Sequence, residues 1–207
     1  MEFVLDIYKR PYNPDFPVIC MDETPKQLIK ETKMKIPVKK GSIAKYDYEY
    51  QRCGVCNIYI SNEPLAGKRK LKITERKTKK DWAEFIAQIA DDYKDSKKIT
   101  LIMDNYGTHK PGALYEIFEP EVAKALWDKF NFVYTPKHGS WLNMAEIELN
   151  VLTGQCLKRR IDNMATIKKE CTAWQNHRNN LNSKINWQFT NKDARIKLKR
   201  LYPTLQN

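Results

Sequence analysis

One apolar run sets the architecture of the chain: Ile99-Thr100-Leu101-Ile102-Met103-Asp104-Asn105. It stops on an acidic residue, which is how a buried strand presents a carboxylate at its C-terminal edge. Pro17-Val18-Ile19-Cys20-Met21-Asp22 repeats the pattern upstream. Two such strands predict that Asp22 and Asp104 lie side by side on one sheet. A third carboxylate nearby would complete a metal site.

Composition predicts a globular protein with a polyanionic partner. The chain has 207 residues, is 42% hydrophobic and carries a formal net charge of +12. The basic residues concentrate in segments 26–45, 66–80 and 155–200, which leaves an acidic remainder that holds both strands ending in Asp. An acidic centre between basic segments is typical of a metal-dependent enzyme that binds a phosphate backbone. The alternative is that these lysines form an ordinary solvated surface.

Cysteine usage and hydropathy indicate the cellular compartment of the protein. The five cysteines are an odd number and form no disulfide framework, and Cys53-Gly-Val-Cys56 lacks the second pair that a zinc site needs. The chain shows no secretory signal and no apolar run of membrane length. We therefore expect a cytoplasmic, nucleoid-associated protein with no membrane partner.

The remaining periodicity predicts a mixed α/β sheet with helices packed on it, as one domain over residues 1–207. Residues 1–16 are expected to form a brief helix or arm. The first strand is predicted to end at Asp22, where Glu23-Thr24-Pro25 turns the chain into a lysine-rich loop over 26–45. The later predictions are strands at Tyr46–Ile60, Lys68–Thr74 and Phe132–Tyr134, a helix from Asp81, a helix over 114–126 broken near Pro120, helical structure over 142–161, and a helix at Asn163–Asn180.

Two glutamates compete for the third carboxylate. Glu146 and Glu148 are two positions apart, so on a helix they point about 200° away from each other and only one can face the sheet. Glu146 lies nearer the edge of the apolar side by spacing alone. That side is marked by Leu142, Ala145, Leu149 and Leu152.

These motifs together resemble a known family. Asp22 stands in Met-Asp-Glu, Asp104 in Met-Asp-Asn-x3-His, and Glu146 in Ser-Trp-Leu-Asn-x2-Glu. The set is similar to the DDE endonuclease domain of IS630-family transposases, in the Tc1/mariner superfamily. The tail motif Trp187-x-Phe189-Thr190-x2-Asp193-Ala194-Arg195 extends the similarity along most of the chain.

The resemblance implies an RNase H-like fold, with helices on both faces of the sheet, and a catalytic acid at Glu146 rather than Glu148. It implies that Asp22, Asp104 and Glu146 bind two Mg²⁺ ions, for which Mn²⁺ can substitute, with Asp22 bridging the pair. The implied reaction is DNA cleavage and strand transfer in cut-and-paste transposition. The implied partners are double-stranded DNA, as transposon ends and target, and a second copy of the chain on paired ends.

Two features depart from the family pattern. Forty-one residues separate Asp104 from Glu146, more than the mid-thirties common in the superfamily. Residues 1–16 offer no room for the N-terminal helix-turn-helix modules that recognise the ends in relatives. We expect these modules to be absent here, and an upstream reading frame that encodes them would be a natural partner.

Further residues are candidates for DNA contact. Trp141 offers a ring for base stacking, and Lys158, Arg159 and Arg160 suit a phosphate track. The other candidates, beside the acids, are Asn105, His109 and His138. Two other functions share these features: another RNase H-like nuclease, and an inactive remnant that only binds DNA.

Overall fold

The computed structural model describes residues 1–34, 36–45, 47–105, 107 and 109–202. Tyr46, at which the sequence predicts a strand to begin, lies outside these residues. The strands are β1 (Val18–Glu31), β2 (Tyr50–Glu63), β3 (Lys68–Thr74), β4 (Ile99–Met103) and β5 (Phe130–Tyr134). The helices are α1 (Glu2–Tyr8), α2 (Lys79–Asp92), α3 (Pro111–Tyr115), α4 (Pro120–Lys129), α5 (Ala145–Leu152), α6 (Met164–Asn180) and α7 (Asn191–Lys197).

The strands form one mixed sheet in the order β3-β2-β1-β4-β5. The pairs β1–β2 and β2–β3 are antiparallel, whereas β1–β4 and β4–β5 are parallel. β4 is buried at every position, as its unbroken apolar run predicts. The predicted mixed α/β sheet is therefore confirmed.

Helices cover both faces of the sheet and enclose two separate cores. One core packs α1, α5, α6 and α7 against residues such as Cys20 and Ile102. The other packs α2, α3 and α4 against residues such as Met21 and Met103. Because neighbouring residues of a strand point to opposite faces, the central strands contribute to both cores. Within the described ranges, every helix is too short or too polar to span a lipid bilayer.

The predicted end of the first strand is wrong. β1 runs nine residues past Asp22, through Pro25, to Glu31, and pairs with β2 along this length up to Glu31 opposite Tyr50. Lysine-rich composition suggested a loop here, but an antiparallel partner strand supplies the backbone hydrogen bonds. Residues 26–31 are therefore strand.

The other boundaries shift by a few residues. Thr78, rather than Asp81, caps α2, and Asp81 completes its capping box. The predicted break near Pro120 is confirmed between α3 and α4. The predicted helical stretch over 142–161 divides into a 3₁₀ turn at Ser140–Leu142, α5 and a π-helical turn at Thr153–Leu157. The N-terminal residues form α1, a helix packed into a core rather than a free arm.

Candidate active site

Asp22 and Asp104 occupy neighbouring strands in the centre of the sheet. β1 and β4 run parallel, with Cys20 opposite Ile102. The strand pairing ends there, and extending the same register by two residues would place Asp22 beside Asp104, which directly follows β4. Since paired strands lie about 4.8 Å apart, the sheet sets these two carboxylates side by side. Period-two alternation puts Asp22 on the same face as Cys20, the face that α5 covers.

Asn143 connects the third acid to this pair. Its buried Nδ2 donates to the carbonyl oxygen of Met21 at 2.7 Å and to Oδ2 of Asp22 at 3.3 Å. Its Oδ1 accepts from the backbone N–H of Ala145 at 3.2 Å, at the first residue of α5. One amide therefore fixes the start of α5 against Asp22, and Glu146 is the second residue of that helix.

The electrostatics of Asp22 show that acidic charge gathers here. Burial raises the pKa of Asp22 to about 7, although a hydrogen bond from the backbone N–H of Glu23 at 2.8 Å opposes the rise. The negative charges of Glu146, Glu23 and Asp104 raise this pKa further. Carboxylates that repel one another in a partly buried place are the setting that a divalent cation stabilises.

The carboxylates form an open group. Among the described residues, no three His, Cys, Asp or Glu side chains close around a single metal position. Oδ1 of Asp104 instead lies 2.8 Å from Nδ1 of His109. Asp22, Asp104 and Glu146 nevertheless fit a hard divalent cation by ligand type, since all offer carboxylate oxygens.

His109 is buried, which corrects the expectation that it contacts DNA. Its side chain is 1% exposed, and its Nε2 lies 3.3 Å from Oε2 of Glu23. Burial alone would lower the pKa of His109, but Asp104 and Glu23 outweigh that effect and raise it to about 9. Because both ring nitrogens face carboxylates in the interior, a phosphate cannot reach them.

Asn105 and His138 are the candidates that lie beside Asp104 and face solvent. They line one cavity of about 430 Å³ at the ends of β4 and β5. His138 has a left-handed backbone with φ of 61°. The cavity is lined by Asp104, Asn105, Thr135, Pro136, Lys137, His138 and Ser140.

Trp141 is 42% exposed. Its ring packs against the ring of Phe189, with centroids 5.5 Å apart and planes at 82°. The remaining exposed surface keeps Trp141 a candidate for base stacking.

The three basic residues after the π-helical turn have different surroundings. Lys158 is exposed, while Arg159 lies 2.7 Å from Glu170 in a surface ion pair. Arg160 contacts Glu31 at 2.5 Å and donates to the carbonyl oxygens of Asp47 and Glu49, both at 2.9 Å. Arg160 thus braces the far end of β1, so the expected phosphate track is reduced to Lys158 and Arg159.

Glu148 takes no part in the acidic group. Its carboxylate is fully buried and lies 3.0 Å from Nε of Arg69 and 2.8 Å from Nη2 of Arg178. Two guanidinium groups compensate this charge, whereas Glu146 is partly exposed beside Asp22. Glu146 is therefore the glutamate available to the site.

Sequence reasoning missed two contributors. The spacing Leu-Asn-x2-Glu contained the signal for Asn143, because an Asn side chain readily accepts from the backbone N–H two residues on and so shapes the turn into the following helix. Nothing in the sequence identifies Glu23 as the partner of His109, since that contact joins β1 to the segment after β4.

Comparison with known proteins identifies the family of the chain. Residues 17–168, well over half of the chain, match the family described as DDE superfamily endonuclease. None of the curated proteins matches the sequence.

Solved structures share the fold. The Mos1 strand transfer complex has 14% identity and a TM-score of 0.58, covering 84% of this chain and 51% of that chain. The Mos1 transposase paired-end complex with left transposon end has 15% identity and a TM-score of 0.58, covering 84% and 52%. The Mos1 mariner paired-end complex with Mn has 16% identity and a TM-score of 0.57, covering 88% and 54%. The chain thus spans about half the length of the proteins it matches, and the sheet has the predicted RNase H-like fold.

Proposed function

The chain belongs to the DDE superfamily of endonucleases, and on this basis we propose that it is the catalytic domain of a transposase. Within that superfamily we assign it to the IS630 family of the Tc1/mariner group. The proposed reaction is metal-dependent DNA cleavage followed by strand transfer, as in cut-and-paste movement of an insertion sequence.

The observation that carries this proposal is the proximity of Asp22 to two further acids that come from other elements, Glu146 and Asp104. Asp22 comes from β1 and Asp104 from the end of β4, while Asn143 ties the helix that bears Glu146 to Asp22. Burial is the main cause of the raised pKa of Asp22, and the negative charges of Glu146 and Asp104 raise this pKa further.

These three carboxylates are the residues that would hold the metal ions. Two Mg²⁺ ions, or Mn²⁺ in their place, would activate the attacking oxygen and stabilise the leaving oxygen of a phosphodiester. The Mn in a Mos1 paired-end complex is consistent with this metal class. The protein's own part is to fix the carboxylates on a rigid sheet and one anchored helix.

The proposed chemistry has two steps. The first hydrolyses a phosphodiester bond, and the second exchanges one phosphodiester bond for another. Water first attacks the phosphorus at a transposon end and releases a 3′-OH. That 3′-OH then attacks a target phosphodiester and displaces another 3′-oxygen, so no energy source and no covalent protein intermediate are needed.

The proposed partners follow from charge and from the solved relatives. The net charge of +12 suits double-stranded DNA, as transposon ends and as target. The Mos1 structures are paired-end and strand transfer complexes, which supports a dimer of this chain on paired ends. We further propose a helix-turn-helix partner for end recognition, and a cytoplasmic, nucleoid-associated location.

The test is nicking of supercoiled plasmid DNA in Mg²⁺ or Mn²⁺. We expect cleavage that chelation stops and that Asp104→Asn lowers at least 100-fold, because that change removes one proposed ligand charge. Asp95→Asn is a matched control, since Asp95 is an exposed Asp shortly before β4, at its other end.

Three outcomes would overturn parts of the proposal. If Asp104→Asn nicked DNA as fast as the wild type, the three carboxylates would not be the catalytic metal ligands. Preferred cleavage of RNA–DNA hybrid over duplex DNA would indicate another RNase H-like nuclease. Salt-dependent DNA binding with no cleavage in either metal would indicate an inactive remnant.

A further inference from the structure

We propose that His109 and Glu23 form a buried positioning pair that orients Asp104 for metal binding. The inference rests on the proposed function, because it concerns how one of the three acids is held. Neither residue would touch the metal or the DNA. Their action passes through the carboxylate of Asp104.

The first contact fixes one oxygen of Asp104. Oδ1 of Asp104 lies 2.8 Å from Nδ1 of His109 and is itself buried, although the side chain as a whole is 36% exposed. The exposed part of this carboxylate therefore includes Oδ2. His109 thus divides the carboxylate into one oxygen turned to the interior and one turned to the cavity at the ends of β4 and β5.

The second contact fixes His109. Its Nε2 lies 3.3 Å from Oε2 of Glu23, whose side chain is 2% exposed and also contacts Nζ of Lys77. The ring of Trp82 stacks on the imidazole, with centroids 5.7 Å apart and planes 25° from parallel. A ring held at both nitrogens and on one face has little freedom to rotate.

The contacts of His109 orient the side chain of Asp104, which lies just beyond the end of a strand. Asp104 follows the last residue of β4 and precedes the exposed Asn105, so it lies just beyond the strand pairing that the described residues form. An unrestrained side chain at such a position loses rotamer entropy when it binds a metal. Prior orientation by a partner group removes part of that cost, which is the common role of groups that contact metal ligands.

The pair also explains the two consecutive acids of β1. Asp22 and Glu23 point to opposite faces, as neighbours in a strand do. Asp22 contributes a carboxylate to the proposed site directly. Glu23 acts on the site indirectly, because it contacts His109, which in turn contacts Asp104. The other reading of His109, as a proton carrier to substrate, does not fit a side chain that is 1% exposed between two carboxylates.

Two amide substitutions separate positioning from simple structural support. His109→Asn places an N–H where Nδ1 was and keeps the contact to Asp104. His109→Gln places it where Nε2 was and keeps only the contact to Glu23. Mn²⁺ affinity measured by electron paramagnetic resonance, without DNA, gives a readout that does not depend on cleavage.

We expect His109→Asn to bind Mn²⁺ within about threefold of the wild type, and His109→Gln to bind about 10- to 100-fold more weakly. Glu23→Gln, which leaves the imidazole in place but removes its charged partner, should weaken binding about tenfold. His177→Gln is the matched control, because His177 is exposed on α6, and it should bind as the wild type does.

The melting temperature of each variant is also measured in chelator, to separate loss of stability from loss of metal affinity. A merely structural role would lower the melting temperature of both His109 variants and leave their Mn²⁺ affinities equal, which would overturn the inference. Should His109→Gln fail to fold, unchanged Mn²⁺ affinity in Glu23→Gln would overturn it as well. Failure of the proposed function looks different, since the wild type itself would then neither bind Mn²⁺ nor cleave DNA.

Discussion

Asn143 joins the strand that carries Asp22 to the helix that carries Glu146. Its amide bonds to Met21, Asp22 and Ala145 and is fully buried. Both of its functional atoms are used, so no other side chain of similar size could satisfy the same donors and acceptors.

Asn143→Ala is therefore expected to reduce stability and cleavage together. The variant leaves the carbonyl of Met21 and the N–H of Ala145 without this partner, which costs about 1–3 kcal/mol of unfolding free energy. Glu146 loses its anchor to Asp22, and nicking should fall more than stability alone explains. Urea denaturation and plasmid nicking measure the two effects. Asn150→Ala, at an exposed position of the same helix, should change neither.

Asp22 gives a pH-dependent prediction for the metal-free protein. Its folded-state pKa of about 7 lies above the ordinary value of 3.8, so the folded chain binds more protons than the unfolded chain between these pH values. Stability must then fall as pH rises from about 4 to 7 and stay reduced above that. Asp22→Asn removes the penalty.

In chelator at pH 8 we expect Asp22→Asn to be more stable than the wild type by on the order of 1–4 kcal/mol. The gain should shrink towards zero near pH 3, where Asp22 is mostly protonated in both the folded and the unfolded state. Thermal melts across this pH range measure it, and a gain that is equal at pH 3 and pH 8 would contradict the assigned cause.

At this scale the sequence located Asp22 and Asp104 correctly on neighbouring strands, because an apolar run has a visible end. It could not locate the partners of His109. Glu23 and Trp82 reach that ring from a strand and a helix far away in sequence, and only the packed fold brings them together.

Helix α5 is held at its start and near its middle by polar groups, although its sequence predicts only an apolar side. Asn143 fixes its start, and Glu148 anchors it through Arg69 of β3 and Arg178 of α6. Arg69 also donates to the carbonyl of Ser183 at 2.6 Å. The direction in which α5 presents Glu146 therefore depends on contacts to three other parts of the fold.

Glu148→Gln is expected to destabilise the protein by about 3–5 kcal/mol, because two buried guanidinium groups lose their counter-charge. Denaturant unfolding measures the change. Glu170→Gln breaks an exposed ion pair with Arg159 and should cost no more than about 1 kcal/mol. Similar small losses in both variants would show that the buried pairs contribute little.

Periodicity predicted most elements and failed where pairing overrides composition. β3 matches its predicted range, and the break at Pro120 follows from proline geometry. β1 was predicted nine residues too short, because lysines and Pro25 resemble a loop until β2 supplies a partner. Local patterns cannot reveal a strand that exists only because a distant segment pairs with it.

At the scale of the molecule, two cores share one sheet, with Asp22 in its central strand β1 and Asp104 directly after the neighbouring strand β4. The expectation that residues 1–207 form one domain stays a prediction, as do the roles of DNA and of a second copy of the chain. The fold class was predictable because the order of strands and helices restricts the layers that can form.

Divalent metal should stabilise the whole molecule by mass action. A ligand at 100 times its dissociation constant adds about 2.7 kcal/mol to the free energy of unfolding when it binds only the folded state. We expect Mn²⁺ to raise the melting temperature of the wild type by several degrees, and to do so much less in Asp104→Asn. Differential scanning calorimetry with and without Mn²⁺ measures it. An equal rise in both proteins would place the bound ion elsewhere.

The adjacent acids of β1 have one more consequence. If this strand slipped by a single residue, Glu23 would replace Asp22 and the site would still receive a carboxylate, so charge alone cannot enforce the correct alignment. The residues just before them can. Cys20 and Met21 are both fully buried, in opposite cores, and a slip would force the long side chain into the small one's place. The packing of Cys20 and Met21 in the two cores therefore sets the register of β1, which the two adjacent carboxylates could not set by charge.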